Sequence, residues 1–190
     1  MIYDDASVDE YLKESIKIAE YQYTLKEKIL QITDIIYEKI NNDGKVLICG
    51  NGGSAADSQH LAAELVVKFN KERKPIPAIA LSTDTSVLTS IGNDFGFKYI
   101  FSRQIQSIAN KNDFLIAIST SGKSENIIEA LKMSSEMGIE SLVLLGQDST
   151  AVEAYSNHLI TIPSSITGVI QQAHITVGQL ICKILEDKIA

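Results

Sequence analysis

The chain is predicted to fold as an α/β protein: a doubly wound, five-stranded parallel sheet in a flavodoxin-like αβα sandwich, with a long N-terminal helical arm. Two observations predict this fold. Five short apolar runs alternate with helical segments and leave no room for hairpins, so neighbouring strands are expected to be parallel. Loops rich in glycine or serine follow the first and third runs, at the edge of the sheet where such folds bind ligands.

Composition limits the class of protein. With 190 residues, 45% of them hydrophobic and 22% charged, the chain is expected to form one globular domain over residues 1–190, with 1–44 as an arm and 45–190 as the core. A net charge of −7 without a basic stripe predicts no nucleic-acid partner. The acidic start lacks a signal-peptide core and no apolar run reaches about 18 residues, which predicts a cytoplasmic protein without a membrane partner. Cys49 and Cys182 lack metal-type spacing and are predicted to be buried thiols.

The N-terminal arm is predicted to be one uninterrupted helix over residues 7–40. Ser7 with Glu10 has the spacing of a helix cap, and neither proline nor glycine follows within that range. The apolar residues of the arm exceed what one core face needs, so part of it is expected to pack on another subunit. A turn over residues 41–44 leads into the first strand.

The stretch 45–68 predicts a strand, a tight glycine loop and a helix. The strand ends in Gly50-Asn51-Gly52-Gly53, and Ser54 with Asp57 has the spacing of a capping box. The free N–H groups of that first helical turn would favour an anion, and phosphate is the natural ligand. The glycines can also be purely steric, because their spacing matches neither a GxGxxG loop nor a P-loop.

His60 and Glu64 lie four residues apart on this helix and therefore on one face, beside the glycine loop. An imidazole and a carboxylate in this arrangement can transfer protons or hold a metal, although such pairs are also common on solvated faces. Apolar neighbours at Leu61 and Leu65 argue against a merely solvated face.

The remaining elements continue the alternation. Further strands are predicted at residues 77–81, 114–118, 141–145 and 158–162. Helices or helical turns are predicted at 87–91, broken at Gly92-Asn93-Asp94, and at 97–109, 125–137 before Gly138, 151–156 and 167–187.

A second polar loop follows the third strand. Ser119, Thr120, Ser121 and Ser124 surround Gly122 immediately before a helix. One hydroxyl would suffice to cap that helix, and four favour a loop that also binds an anion. Both loops are expected at the carboxyl edge of the sheet.

The final helix is apolar except for a few polar residues. His174 is interpreted as a hydrogen-bonded core residue. Gln171, Gln172 and Gln179 are harder to explain in a buried helix, because each amide needs hydrogen-bond partners.

Five motifs occur in combination: CGNGGSAADSQHLAAEL, STDTSVLTSIGNDFGF, FSRQ, ISTSGKS and IQQAHI. Together they resemble the sugar isomerase (SIS) domain family, and within it the phosphoheptose isomerases. The resemblance implies an isomerase that converts sedoheptulose 7-phosphate to D-glycero-D-manno-heptose 7-phosphate through an enediol, the first step of heptose biosynthesis. It also implies a homotetramer with its sites at subunit interfaces and one divalent metal, usually zinc, in each site.

The resemblance implies roles for individual residues, motif by motif. Glu64 matches the general base, and His60, Glu64 and Gln171 match ligands of the metal. Gln179 stands where the family has a histidine that serves as metal ligand and general acid/base. The implied substrate contacts, with the serines as the phosphate cradle, are Asn51, Gly52, Gly53, Ser54, Glu64, Asn93, Asp94, Ser119, Thr120, Ser121, Ser124 and Gln171.

Departures from the family pattern keep a second interpretation open. Besides Gln179, Lys68 stands in place of an arginine, and Gly168-Val169 in place of Asp-Arg. The alternative is a non-catalytic SIS module that binds a sugar phosphate or regulates a protein partner, as relatives that act on replication initiation do. Gln179 favours this alternative and Glu64 opposes it. The sequence leaves open whether Gln179 is natural or a substitution of a catalytic histidine.

Overall fold

The computed structural model describes residues 5–190 and contains a five-stranded, fully parallel sheet with strand order β2-β1-β3-β4-β5. The strands are β1 Val46–Gly50, β2 Ala78–Ala80, β3 Phe114–Ser119, β4 Glu140–Leu145 and β5 His158–Thr161. This order is the flavodoxin-like one, in which the chain reverses direction across the sheet between β1 and β3. The predicted doubly wound fold is therefore confirmed.

Seven α-helices cover the sheet in the described part of the chain: α1 Asp5–Gln22, α2 Lys26–Asn41, α3 Gly53–Val66, α4 Thr85–Asp94, α5 Ser102–Ile108, α6 Glu125–Glu136 and α7 Thr167–Ile189. Short 3-10 turns lie at Tyr23–Leu25, Phe97–Tyr99 and Glu153–Tyr155. Within residues 5–190, none of the helices combines the length and the apolar character needed to cross a bilayer. The cytoplasmic location and the single-domain organisation stay predictions.

The sheet separates two hydrophobic cores because successive strand residues point to opposite faces. On one face, residues such as Ile48 and Ile116 pack against α1, α2, α3 and α7. On the other face, residues such as Leu47 and Leu115 pack against α4, α5 and α6. Cys49 and Cys182 are buried as predicted, and burial raises the pKa of each thiol to about 12.

The arm differs from the single helix that the sequence predicted. A 3-10 turn at Tyr23–Leu25 divides it into α1 and α2. There the Thr24 hydroxyl donates to the Tyr21 carbonyl at 2.7 Å, a local bond that competes with regular helical pairing. Ser7 lies inside α1, so the predicted cap by Ser7 and Glu10 was wrong.

Two other boundaries also differ from the prediction. Helix α4 starts at Thr85, because Asp84 caps it by accepting from the N–H of Val87 at 3.0 Å, and it continues through Gly92 and Asn93 to Asp94. The helix predicted over 97–109 is a 3-10 turn followed by the shorter α5. By contrast, Gly138 ends α6 as predicted, with a φ of +69° that favours glycine.

Candidate functional site

The glycine loop connects β1 to α3 at the centre of the sheet. Gly50 is in register with Ile118, so this loop and the hydroxyl loop after β3 start side by side. A Cβ at Gly50 would stand 2.5 Å from the Ser54 carbonyl oxygen, and Gly52 has a φ of +54°. Both positions therefore require glycine, which confirms a tight turn at the start of α3.

The predicted capping box at Ser54 was wrong. Helix α3 begins one residue earlier, at Gly53, and no side chain caps it. Ser54 is therefore inside the first turn, where its N–H donates to the Asn51 carbonyl at 3.0 Å. Asp57 makes no capping bond, and its Oδ2 is buried without a hydrogen-bond partner among the described residues. Burial raises the pKa of Asp57, and the nearby His60 opposes that rise.

An amide pair joins the two loops. Asn51 Nδ2 donates to Asn126 Oδ1, and Asn126 Nδ2 donates to Asn51 Oδ1, each at 2.8 Å. Asn126 lies in the first turn of α6 and is 3% exposed. The side chain of Asn51, predicted to contact substrate, is thus used to hold the glycine loop against the hydroxyl loop.

The hydroxyl loop is ordered by its own side chains. Ser119 Oγ accepts from the N–H of Gly122, and Ser121 Oγ accepts from the N–H of Lys123, each at 3.2 Å. No side chain caps α6, so Ser124 does not fill the role of a plain helix cap. The Lys123 ammonium lies 3.0 Å from Asp148 Oδ2, and its hydrogen bond lowers the pKa of Asp148. The one lysine of this loop is therefore already paired.

His60 and Glu64 meet as predicted. His60 Nε2 lies 3.0 Å from Glu64 Oε1, with the side chains 50% and 21% exposed. The carboxylate is thus oriented by the imidazole while remaining accessible from one side. This arrangement suits a general base.

Helix α7 runs beside α3 in the same direction. A Cβ at Gly53 would stand 2.5 Å from Gln171 Nε2, and one at Gly178 would stand 2.4 Å from a Leu61 methyl carbon. Gln171 therefore adjoins the glycine loop, and Gln179 follows Gly178 about two turns further along α7. The side chains of Gln171 and Gln179 have no hydrogen-bond partner among residues 5–190.

Two other polar residues of α7, His174 and Gln172, form hydrogen bonds within the chain, and His174 Nδ1 is buried without a partner among the described residues. His174 is fully buried, its Nε2 lies 2.9 Å from the Leu145 carbonyl oxygen, and burial lowers its pKa to about 4. It is therefore a core residue, as predicted. Gln172 Nε2 donates to the Tyr11 hydroxyl at 3.2 Å. A Cβ at Gly168 would stand 2.5 Å from that same hydroxyl, so Tyr11 fills the space in which a side chain at position 168 would begin.

Asn93 and Asp94 lie in the last turn of α4, where Asn93 Nδ2 donates to Asp94 Oδ1 at 2.8 Å. Both are exposed. Their predicted contact with substrate stays a prediction.

The donor set for a metal can be compared with what zinc requires. His60 and Glu64 supply one imidazole and one carboxylate. In the described part of the chain, no group of three or more His, Cys, Asp or Glu side chains could hold an ion. The amide oxygens of Gln171 and Gln179 are weaker zinc donors than histidine nitrogen or thiolate. One chain therefore does not fit the strong-donor set that zinc usually takes.

Asn126 and Tyr11 were not predicted as site residues. Asn126 had one signal in the sequence, a polar residue two positions after Ser124 on a face that must be buried. Tyr11 had none, because its neighbours at the site are more than 150 residues away in the chain.

Comparison with known proteins assigns the family. The SIS domain family matches residues 10–146. The phosphoheptose isomerase of Campylobacter jejuni subsp. jejuni serotype O:6 is 44% identical over 180 residues, which cover 95% of this chain and 97% of that protein. The chain belongs to the phosphoheptose isomerase family of SIS-domain proteins.

Solved structures of phosphoheptose isomerases share the fold. The enzyme of Neisseria gonorrhoeae superposes with a TM-score of 0.89 at 38% identity, covering 96% of this chain and 98% of that one. The enzyme of Francisella tularensis gives a TM-score of 0.91 at 33% identity, covering 96% and 97%. The loops, α3 and α7 described above thus belong to a phosphoheptose isomerase framework over nearly its full length.

Proposed function

We propose that this protein isomerises sedoheptulose 7-phosphate to D-glycero-D-manno-heptose 7-phosphate through an enediol, as the first step of heptose biosynthesis. The observation that carries the proposal is the Glu64 carboxylate, oriented by His60 on the helix that begins at the glycine loop. Relatives named phosphoheptose isomerase, which match nearly the whole chain, support it. The non-catalytic alternative is not favoured, because it leaves this carboxylate without a role.

Phosphate binding falls to hydroxyls and backbone N–H groups. Lys123, the one lysine of the hydroxyl loop, forms an exposed ion pair with Asp148, with the side chains 71% and 41% exposed. The N-termini of α3 and α6 supply positive dipole ends beside Ser54 and Ser124. A phosphate held there would place the sugar chain toward His60 and Glu64, about two and three turns along α3.

The reaction requires a proton to move between neighbouring carbons. Glu64 removes a proton from C1 of the ketose, the C–H electrons form the C1=C2 bond, and O2 gains a proton to give the enediol. Return of a proton to C2 and loss of the O1 proton give the aldose. Gln179 cannot shuttle the protons at oxygen, because an amide neither gains nor loses a proton near neutral pH.

Zinc and the tetramer belong to the proposal as well. His60 and Glu64, with amide oxygens of Gln171 and Gln179, would hold a divalent ion weakly, and no step above depends on it.

The tetramer is supported by apolar side chains that α1, the following turn and α2 leave exposed, among them Leu12 at 55%, Ile16 at 61% and Tyr23 at 83%. Light scattering at micromolar concentration tests the assembly, and a monomer would contradict it.

The function is tested by incubating the protein with sedoheptulose 7-phosphate in D₂O and following the sugars by NMR. We expect the aldose to appear, with deuterium at C2 to the extent that the proton on Glu64 exchanges with solvent. Binding of the sugar phosphate without any conversion would instead support the non-catalytic module.

A further inference from the structure

A buried ion pair joins the end of α3 to the end of α7. Arg73, in the segment between α3 and β2, places Nε 3.3 Å from Glu186 Oε1 on α7. The two side chains are 0% and 1% exposed. Breaking a buried pair by removing one partner is strongly unfavourable, because the other charge is left without compensation.

Glu186 holds the segment that follows α3. Its two carboxylate oxygens accept from the backbone N–H groups of Phe69, Asn70 and Lys71 at 2.7 to 3.0 Å. Burial alone would raise the pKa of Glu186, but these hydrogen bonds and the Arg73 charge outweigh it and lower the pKa. The carboxylate is therefore charged at neutral pH and fixes the path of the chain at the end of α3.

Arg73 extends this contact to the helix that carries the base. Its Nη2 donates to the backbone carbonyl of Glu64 at 2.8 Å, and its Nη1 donates to that of Leu65 at 2.9 Å. Both carbonyls belong to the last turn of α3, where helical partners run out. The guanidinium thus closes the turn from which the Glu64 side chain projects.

We propose that Arg73 and Glu186 are positioning residues for the isomerisation, which hold the last turn of α3 against α7 and so fix Glu64 relative to Gln171 and Gln179. The inference rests on the proposed function for the role of Glu64. All four residues assigned to the base and the metal lie on these two helices, two on each. A carboxylate displaced by about 1 Å can cost about 10²-fold in rate, so a contact that never touches substrate can still control kcat.

The chain offers a matched control in the loop before β3. Asp113 is fully buried, accepts from the N–H groups of Lys45 and Asn110, and pairs with the Lys45 ammonium at 2.7 Å. It fixes a loop as Glu186 does, but before β3 and away from α3 and α7. Asp113→Asn therefore removes a comparable buried charge without touching the helices of the site.

The experiment compares Glu186→Gln, Arg73→Lys and Asp113→Asn with the unmodified protein, each assayed well below its unfolding temperature. Arg73→Lys keeps a positive charge opposite Glu186. One ammonium, however, cannot replace the guanidinium that donates to the Glu64 and Leu65 carbonyls together. We expect kcat for sedoheptulose 7-phosphate to fall at least tenfold in the first two variants, with KM changed less than threefold. Asp113→Asn should keep kcat within twofold while losing thermal stability. Equal losses of kcat in all three, or none in the first two, would overturn the inference.

Amide hydrogen exchange tests the same inference without substrate. Protection of residues 61–66 should fall at least tenfold in Glu186→Gln and Arg73→Lys, and stay unchanged in Asp113→Asn. If the unmodified protein proves inactive, the proposed function fails, and this measurement alone decides whether the ion pair orders the last turn of α3. Unchanged protection in both variants would then reject it.

Discussion

Polar side chains at the two edges of the sheet differ in whether they have hydrogen-bond partners within the chain. At the amino edge, the Asp113 carboxylate accepts two backbone N–H bonds and the Lys45 ammonium, and Glu140 pairs with Lys39 and His158. At the carboxyl edge, hydrogen-bond partners within the described residues are missing for the side chains of Thr120, Ser124 and Gln171, and the Gln179 side chain, about two turns further along α7, lacks one as well. The carboxylates at the first edge are paired within the chain and serve stability. The polar groups at the second edge remain available for a ligand.

The largest expected effect is that of Glu64→Gln on α3, the helix that starts at the carboxyl edge. An amide of the same shape cannot accept the C1 proton, so kcat should fall roughly 10²–10⁴-fold with little change in KM. Steady-state kinetics with sedoheptulose 7-phosphate measure this loss. Inhibition by inorganic phosphate should be unchanged, since Glu64 is not assigned to the phosphate. A variant that keeps ordinary rates would place the base elsewhere.

Gln179→His should act in the opposite direction. An imidazole can carry the protons at the sugar oxygens and offers a better metal donor than an amide, so kcat should rise by roughly 10²-fold or more, with a smaller change in KM. Gln172→His is the matched control, because Gln172 is on the same helix but bonded to Tyr11. If Gln179→His gains no more than the control, or if the unmodified chain already turns over at ordinary enzyme rates, the role assigned to position 179 is wrong.

Protonation of His174, which bonds the carboxyl end of β4, should lower the free energy of unfolding at acid pH. Its pKa of about 4 in the folded chain lies below the usual 6.5, so the unfolded chain binds the proton first. Its contribution is complete above pH 6.5 and is lost as pH falls toward 4, by about 3 kcal/mol in all. Urea unfolding at several pH values measures this loss. In His174→Gln, an amide that cannot titrate replaces the imidazole that bonds Leu145. The free energy of unfolding of this variant should therefore fall less steeply as the pH is lowered. Parallel curves for the two proteins would contradict the assignment.

The smallest effect is expected for the hydroxyl loop. The double change Ser121→Ala and Ser124→Ala removes two donors to the phosphate and should weaken sugar-phosphate binding by about tenfold in calorimetry. Ser134→Ala is a suitable control, because the Ser134 hydroxyl is buried in α6 and bonds only the Ala130 carbonyl. An unchanged affinity in the double variant would move the phosphate away from this loop.

The sequence predicted those parts of the structure that depend on neighbouring residues. Strand positions follow from short apolar runs, and the contact of His60 with Glu64 follows from helical spacing alone. The capping box at Ser54 failed because the glycines allow α3 to start one residue earlier, which spacing cannot reveal. The prediction of one continuous helix over the arm failed at Tyr23–Leu25, because the interruption involves the Thr24 hydroxyl, which is compatible with a helical sequence pattern.

Contacts between residues that are distant in the chain could not be predicted from the sequence pattern. Glu186 lies in a run of charged residues near the C-terminus, which is typical of a solvated helix end, yet it is buried against the segment after α3. Arg73 likewise lies in a polar stretch rich in lysine. Only the parallel packing of α3 and α7 brings the two together, and that packing is a property of the whole sheet.

The amide pair of Asn51 and Asn126 gives the site an all-or-none character. The two residues are 75 positions apart, and their loops adjoin only when β1 and β3 are already paired. A fragment ending before β3 would contain the complete glycine loop and both His60 and Glu64, but neither the second loop nor the partner of Asn51. The proposed anion site is consequently complete only in the assembled fold. Ligand concentration should therefore raise the stability of the whole sheet rather than that of one loop.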